Sequence, residues 1–350
     1  MPDWNPAEII GTAPGALATS LYEFLIMKDT WATQRAEYGY SDVRPSPLLV
    51  QFAGRPYVDV RASFASFIPA SIDKKLASRL LSFYLDWLRS HPELHDKVEF
   101  EVVPTCLASD FPFWKNRLIE KGGFIEEEID EIRSGLYNIT AHAFSRRNTD
   151  YDQIEILSKR HLNTMAIVKD PLERAFTLLN DCRRFGCLPF AHLARSAFIA
   201  MTLLRGAERM GIISPDANKS FLSTIRTVSH TFKEDALKVN NNTLSWNDFI
   251  SKYGHLRPGT YEITSPRYDE EPEFFLQTLV LQAKQNAPET DTSETWLKES
   301  PFFLDALQEM GLPNNTEEVA TFLKSSIQGR EYAKFILSRS LSDALPIPGA

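Results

Sequence analysis

The sequence predicts an α+β protein that is predominantly α-helical, with a small antiparallel sheet near the N-terminus followed by a helical body. Two short β-rich runs, at residues 48–52 and 57–60, lie on either side of a turn that contains Gly54, which is typical of a hairpin. Residues 97–103 alternate polar and apolar side chains and predict a third strand. From Phe113 onward, apolar residues recur mainly at helical spacing.

The N-terminal elements follow from local signals. Residues 1–14 are rich in Pro and Gly, so we expect them to be irregular. A helix is predicted from Leu17 toward Arg35, where large apolar residues cluster. A second helix is predicted over residues 73–89, because its apolar side chains follow one face.

The helical body is predicted from the same periodicity. Asn315 or Thr316 is expected to cap the last helix, since Glu317 and Glu318 follow in its first turn. The polar tract from Gln285 to Thr295 is the predicted linker. The predicted helices lie at residues 124–134, 151–165, 171–184, 189–210, 216–237, 244–252, 272–285, 301–311 and 316–340.

Length and composition bound the possible classes of protein. The 350 residues fit about two domains, which we place at residues 1–110 and 111–350. Hydrophobic residues make up 43% and charged residues 24%, as in ordinary globular proteins. The net charge is −8, and the basic pairs Arg146-Arg147 and Arg183-Arg184 are isolated, so we expect no nucleic-acid partner. An acidic chain can still form a cationic pocket.

Other patterns bear on location and cofactors. The three cysteines form no disulfide framework and are expected to be reduced, buried thiols. No run approaches the ~20 apolar residues of a membrane span, and the N-terminus lacks the pattern of a signal peptide. We therefore expect a cytoplasmic protein without a membrane partner. The spacing of Cys182 and Cys187 is wrong for a zinc knuckle, and we predict no metal site.

Several well-known catalytic motifs are absent from the sequence. It contains no GxxxxGK[ST] loop, no GxGxxG after a strand, no HExxH and no GxSxG. These absences argue against a self-contained nucleotide hydrolase, a Rossmann enzyme, a zinc protease and an α/β-hydrolase.

One segment concentrates groups that bind anions. The sequence YGHLRPGTYEITSPRYDE, at residues 253–270, contains one His, two Arg and three Tyr. Pro258 presets its own φ and Gly259 tolerates a positive φ, so a type II turn is predicted. Arginine binds oxyanions through two parallel hydrogen bonds, and loops on a rigid scaffold often carry binding groups. The alternative is a structural loop in which these arginines pair with neighbouring carboxylates.

The same segment resembles the corresponding segment of the phosphoenolpyruvate-synthase-like dikinases, the family that includes rifampicin phosphotransferase. Three further segments are similar to the central helical domain of that family: DWNPAEIIG at 3–11, GRPYVDVRASF at 54–64 and LPFAHLAR at 188–195. In the family, an ATP-grasp domain precedes this domain and a swivelling phosphohistidine domain follows it. This sequence lacks the ATP-grasp segment, and none of its seven histidines lies in a Gly-rich Ser/Thr-His setting.

The resemblance therefore implies the phosphoryl-acceptor side of such a phosphotransferase, which binds a small-molecule substrate. ATP-grasp and phosphohistidine domains would act in trans, and they, rather than this chain, would bind ATP and Mg²⁺. In this hypothesis Arg257 and Arg267 contact the anion, His255 is an acid–base or hydrogen-bonding group, and Tyr261 orients the substrate.

Further candidates lie outside this segment. Asp59 and Arg61 are expected to share one face of a strand, where they either bind substrate or are simply solvated. His192 and Arg195 are three residues apart in an apolar helix, and Arg195 needs a carboxylate or a ligand as its partner. The aromatic residues Phe64, Phe67, Phe111, Phe113 and Trp114 form either a pocket or part of the core.

Two other functions remain open at this stage. One is a non-catalytic binding or scaffold module that kept the fold without the chemistry. The other is an independent lyase or hydrolase that uses His255 and Glu262. A histidine that works in acid–base catalysis is expected to titrate near pH 6–7.

Overall fold

The fold is predominantly α-helical, with one small antiparallel sheet near the N-terminus, as the sequence predicts. The computed structural model describes residues 10–262, 264–283 and 293–345. The predicted linker at Gln285–Thr295 lies outside these ranges, apart from its last three residues, which begin a helix. Most of the stretch predicted to be irregular at the N-terminus also lies outside the described residues.

The predicted hairpin is confirmed. Strand β1 (Leu49–Phe52) pairs with β2 (Arg55–Val58) in antiparallel register. The two turn residues, Ala53 and Gly54, have φ values of 50° and 73°. Positive φ at both positions is the geometry of a type I′ turn, whose twist matches that of the strands.

Of the N-terminal helices, the one predicted at residues 73–89 is confirmed. The helix predicted from Leu17 toward Arg35 is two helices with the π-helical segment Glu23–Met27 between them, and the helix at Val60–Ala65 was not predicted. Asp73 caps the amphipathic helix through hydrogen bonds from the backbone N–H groups of Lys75 and Leu76 to its carboxylate, 2.8 and 3.4 Å long. The apolar face of this helix is buried, as expected. The helices are α1 (Ala16–Tyr22), α2 (Thr30–Tyr38), α3 (Val60–Ala65) and α4 (Lys74–Ser90).

The predicted third strand at residues 97–103 is wrong. Val98–Val102 forms a short π-helical segment, and the sheet within the described residues has only β1 and β2. A strand needs a partner that satisfies its backbone groups. Here long-range contacts hold the segment instead, because Glu99 pairs with Arg195 and the Glu101 carbonyl accepts a hydrogen bond from Arg117.

The helical body differs from the prediction mainly in helix boundaries. The helices predicted at 124–134 and 151–165 are one continuous helix, and the helix predicted at 216–237 is two. The elements are α5 (Phe111–Gly122), α6 (Glu126–Ile167), α7 (Pro171–Asp181), α8 (Leu188–Arg209), α9 (Pro215–Ser223), α10 (Val228–Asn240), α11 (Trp246–Tyr253), α12 (Thr278–Ala283), α13 (Ser293–Glu309) and α14 (Thr316–Ala344). Asn315 caps α14, as predicted.

These differences have physical reasons. No proline interrupts α6, so nothing forces it to end between the two predicted helices. Gly135, in the first third of α6, gives room for Pro69, whose Cβ lies 2.7 Å from the position that a Cβ at Gly135 would occupy. Between α9 and α10, the carbonyl of Arg226 accepts a hydrogen bond from Gln328 of α14 instead of a helical partner.

The core is built around α8, α14 and α6, which pack against one another. Buried residues of α1 and of the π-helical segment after it, such as Tyr22 and Leu25, join this core. Another buried cluster contains Phe64 from α3, Leu80 from α4 and Leu118 from α5. This cluster includes residues from both sides of the domain boundary predicted at 110/111, and that division stays a prediction.

One continuous helical stretch, Pro171–Arg209, is long and apolar enough to cross a membrane by length and composition alone. Its most apolar window has a mean hydropathy of 1.4, and 67% of that window is buried inside the fold. A buried core helix passes the same test, so this stretch is weak support for a membrane span. The location of the protein stays a prediction.

Gly329 provides a test of the packing between α14 and its neighbours. A Cβ at this position would lie 2.7 Å from Cε2 of Tyr151 and 3.2 Å from Cδ2 of Leu193. We expect Gly329→Ala to lower the free energy of unfolding by about 1–3 kcal/mol, although alanine favours helix. Chemical denaturation measures the change. Thr321→Ala, at an exposed position of the same helix, is the control and is expected to be neutral or slightly stabilising.

Candidate functional site

A cavity of about 400 Å³ lies where the N-terminal part of the chain meets the helical body. Helix α2 contributes Gln34 and Arg35, the π-helical segment contributes Glu99, and α8 contributes Arg195. The loop after α11 contributes Tyr261, and α14 closes another side. We call this space the central cavity. Its size is typical of a small-molecule site.

The central cavity combines cationic and aromatic walls. Among the described residues that line it, Glu99 is the one carboxylate, and four side chains are cationic: Arg35, Arg195, Arg330 and Lys334. The chain as a whole has a net charge of −8, so positive charge is concentrated locally. Apolar contact surface comes from aromatic residues that include Trp31, Phe64, Phe67 and Phe190. Such a surface favours an anion with an apolar body.

Arg195 is the most deeply buried charge of the cavity, with 5% of its surface exposed. Its two terminal nitrogens donate hydrogen bonds to the two carboxylate oxygens of Glu99, so its partner is a carboxylate. Burial alone would lower the pKa of Arg195, but the negative charge of Glu99 outweighs burial and raises it. The Nε atom is buried and has no hydrogen-bond partner among the described residues.

Gln34 and Arg35 were not among the residues predicted from the sequence. Gln34 is 3% exposed, and its side-chain nitrogen has no hydrogen-bond partner in the described part of the chain. Arg35 is 6% exposed, donates to the Ser63 carbonyl and stacks 3.8 Å above the ring of Phe67. Polar residues inside a helix give only a weak local signal of a site. Here that signal was two adjacent long polar side chains in a predicted helix.

Two predicted site residues, Arg195 and Tyr261, line the central cavity together. Tyr261 is 6% exposed, and its ring packs edge to face on Tyr22 with centroids 5.8 Å apart. Burial raises the pKa of Tyr261, so the phenol stays protonated. Five other predicted residues do not line this cavity: Asp59, Arg61, His255, Arg257 and Arg267.

Arg267 belongs to a network of carboxylates. It donates through Nε and Nη2 to both oxygens of Asp269, 2.9 and 2.7 Å away, and through Nη1 to Asp343 of α14. Asp343 also lies 3.2 Å from Nε2 of His161. Burial alone would raise the pKa of Asp343, but hydrogen bonds from His161 and Arg267 outweigh it and lower it. This geometry matches the structural-loop alternative, since Arg267 fixes the segment to α14.

Arg257 is less well satisfied. Its closest polar contact is a hydrogen bond of 3.5 Å from Nη1 to the carbonyl of Glu262, and its Nε has no partner in the described residues. Burial, together with repulsion from Arg267, lowers its pKa. The type II turn predicted here is wrong, because Gly259 does not have a positive φ. Instead, Gly259 N–H donates to Oγ of Ser265 at 3.1 Å.

His255 lies behind the cavity wall rather than on it. It is 4% exposed, packs 4.8 Å from the ring of Phe335, and its Nε2 lies 3.5 Å from Oγ of Ser338, which lines the cavity. Burial, with repulsion from Arg339, lowers its pKa to about 3. Its ring is therefore neutral at neutral pH and is an acceptor or a neutral donor rather than a cation.

The prediction that Asp59 and Arg61 share one face of a strand is wrong. Strand β2 ends at Val58, and Asp59 caps α3 by accepting hydrogen bonds of 2.9 and 3.3 Å from the N–H groups of Arg61 and Ala62. The carboxylate of Asp59 therefore accepts backbone hydrogen bonds at the start of α3, and Arg61 is exposed. The residues on either side of Asp59, Val58 and Val60, are the ones that line the central cavity.

Within the described residues, no group of three or more His, Cys, Asp and Glu side chains is placed to hold a metal ion. The chain matches no protein-family model, no curated protein and no solved structure. The family resemblance carried by residues 253–270 therefore stays a prediction from the residues themselves.

The network around Asp343 predicts a large effect of its neutralisation. We expect Asp343→Asn to lower the free energy of unfolding by about 1.5–3 kcal/mol near neutral pH, because Arg267 loses one of its two carboxylate partners and keeps only Asp269. The pKa of Asp343 is lowered in the fold, so its contribution is present above the ordinary pKa of aspartate and is lost as the pH falls below that value. Denaturation at several pH values measures both effects.

The matched control is Asp42→Asn, which removes an exposed ion pair with Arg44 and is expected to cost no more than about 1 kcal/mol. Equal losses for the two variants would show that the Asp343 network does not hold the loop to α14.

The environment of His255 predicts its titration. In the folded protein, the ring resonances of His255, assigned with His255→Gln, should not move between pH 5 and 8, since its pKa is about 3. In denaturant the same side chain should titrate near its ordinary value. The unfolded chain then binds a proton that the fold excludes, so this group lowers stability as the pH falls from about 6.5 toward 3. A folded-state midpoint near pH 6–7 would instead support acid–base catalysis.

Proposed function

We propose that this chain binds a small anionic molecule with an apolar body in the central cavity. One observation carries the proposal: two buried donors that line the cavity, Nε2 of Gln34 and Nε of Arg195, have no hydrogen-bond partner among the described residues. A buried donor without a partner costs about 1–3 kcal/mol. A ligand that supplies acceptors would remove that cost.

We further propose, from the family resemblance, that the bound molecule is the phosphoryl acceptor of a phosphoenolpyruvate-synthase-like phosphotransferase. ATP-grasp and phosphohistidine domains, with their ATP and Mg²⁺, would then act in trans, and the protein would work in the cytoplasm. In this function Arg195 and Tyr261 position the acceptor, joined by Gln34 and Arg35. Phosphoryl transfer depends mainly on positioning and charge neutralisation, which such residues supply.

The second candidate is a binding module without chemistry, and the position of His255 favours it. A general base near neutral pH needs access to the substrate and a pKa near the working pH. His255 is buried behind Ser338 with a pKa of about 3. Addition of separately expressed ATP-grasp and phosphohistidine domains discriminates the two candidates. Phosphate transfer from ATP to a bound ligand supports the phosphotransferase, and ligand binding without transfer supports the module.

Gln34 allows the binding proposal to be tested without damage to the fold. A thermal-shift screen of aromatic and aliphatic acids, phosphate esters and their neutral analogues would first identify a ligand. Gln34→Met should then weaken that ligand at least tenfold, because the donor is lost, while stability stays equal or rises by up to about 1 kcal/mol. Calorimetry measures the affinity.

Gln51→Met, at an exposed position of β1, is the control and should change neither quantity. Loss of stability without loss of affinity in Gln34→Met would mean that the donor serves the fold, and the proposed site would be wrong.

A further inference from the structure

A second cavity, of about 380 Å³, lies next to the central cavity, and Glu99 lines both. Cys106, Asp110 and Trp114 form part of its wall. Phe111 also lines this second cavity, whereas Phe113 is 45% exposed on the surface. The predicted aromatic stripe is therefore divided between the two cavities, the core and the surface.

One face of α8 runs beneath both cavities. Its lining residues are spaced three or four apart, as expected for neighbours on one helical face. At 1.5 Å per residue the face extends for about 27 Å. The residues are Ala191, Ala194, Arg195 and Phe198 under the central cavity, followed by Thr202, Arg205, Gly206 and Arg209 under the second cavity.

The π-helical segment Val98–Val102 crosses this face and divides it. Phe100 packs on Phe198 of α8 with ring centroids 5.7 Å apart, and Arg205 lies 4.9 Å from the Phe100 ring. Next to this contact, the carboxylate of Glu99 accepts hydrogen bonds from the two terminal nitrogens of Arg195. The ion pair therefore stands at the partition between the two cavities.

We infer that Glu99 pairs with Arg195 at the place where a ligand carboxylate binds. The ligand of the central cavity carries a planar carboxylate that displaces Glu99, and this displacement joins the two cavities. This inference rests on the proposed function, in which the central cavity binds a small molecule. The ligand is thus an elongated carboxylic acid with an apolar body.

Charge compensation gives the reason. A guanidinium as buried as that of Arg195 is strongly unfavourable without a counter-charge, so an empty cavity needs Glu99. A ligand carboxylate can replace Glu99 with the same pair of parallel hydrogen bonds. A ligand carboxylate that instead binds side-on, through Nε and one terminal nitrogen, would supply an acceptor to the Nε atom, which Glu99 leaves without a partner.

The two partners differ in how easily they can move. Arg195 is 5% exposed and lies inside the 22-residue helix α8. The Glu99 side chain is 19% exposed and lies in a five-residue π-helical segment. After displacement, Glu99 reaches water as its segment is released from α8, whereas Arg195 stays in place and bound to the ligand.

The test uses fluorine NMR with 4-(trifluoromethyl)phenylacetate as the probe and the corresponding neutral amide as its analogue. In Glu99→Gln the competing carboxylate is gone, so the acid should bind at least tenfold more tightly than to the wild type, and the amide should bind equally to both. Asp96→Asn removes a negative charge three residues away, at an exposed position that lines neither cavity, and it should leave the affinity for the acid unchanged.

Two further measurements cover the case in which Glu99→Gln folds poorly. Glu99→Asp keeps the charge but shortens its reach, so it should bind the acid with intermediate affinity. In the wild type, saturation with the acid should speed amide hydrogen exchange in residues 98–102, because the segment is released from α8.

Tighter binding of the acid by Glu99→Gln, with unchanged binding of the amide, would support the inference. If the acid binds wild type and Glu99→Gln equally, the displacement of Glu99 is wrong while the proposed binding function stands. If neither acid nor amide binds to wild type, to Glu99→Gln or to Glu99→Asp, both the inference and the proposed function fail.

Discussion

Buried positive charge is the constraint on which the arrangement of this protein depends. Arg195 is buried and the Arg267 side chain is 14% exposed, and each pairs with a carboxylate from a distant part of the chain. A buried guanidinium without a counter-charge costs several kcal/mol. The two pairs therefore fix where the π-helical segment at Val98–Val102 crosses α8 and where the loop after α11 lies against α14. Both positions border the central cavity.

The two networks have different consequences for function. Arg267 makes three hydrogen bonds to two aspartates, so its donors are used by the fold. Arg195 keeps one buried donor without a partner, as does its neighbour in the cavity, Gln34. Incomplete satisfaction of buried polar groups is uncommon in folded proteins, and each case needs an explanation. Arg257 in the segment 253–270 also has a buried Nε without a partner in the described residues, but of these arginines only Arg195 lines the central cavity.

Sequence patterns predicted those features that depend on neighbours along the chain. The hairpin follows from two β-rich runs around a Gly turn, and Asn315 caps α14 because its side chain reaches N–H groups two and three residues ahead. Tyr261 was predicted as a site residue from the family resemblance, and Arg195 from the need of a charge in an apolar helix for a partner. The prediction for Asp59 was wrong because its carboxylate caps α3, and an Asp between two valines fits a strand face and a helix cap equally well.

The sequence by itself determined the helical character of the chain, the hairpin near its N-terminus and the need of Arg195 for a partner. Only the tertiary structure decided which partner that is, since Arg195 and Glu99 are 96 residues apart and Arg267 and Asp343 are 76 apart. Secondary structure reflects interactions within a few residues, which a pattern records. The cavity depends on contacts between distant segments, and these form only when the helices pack.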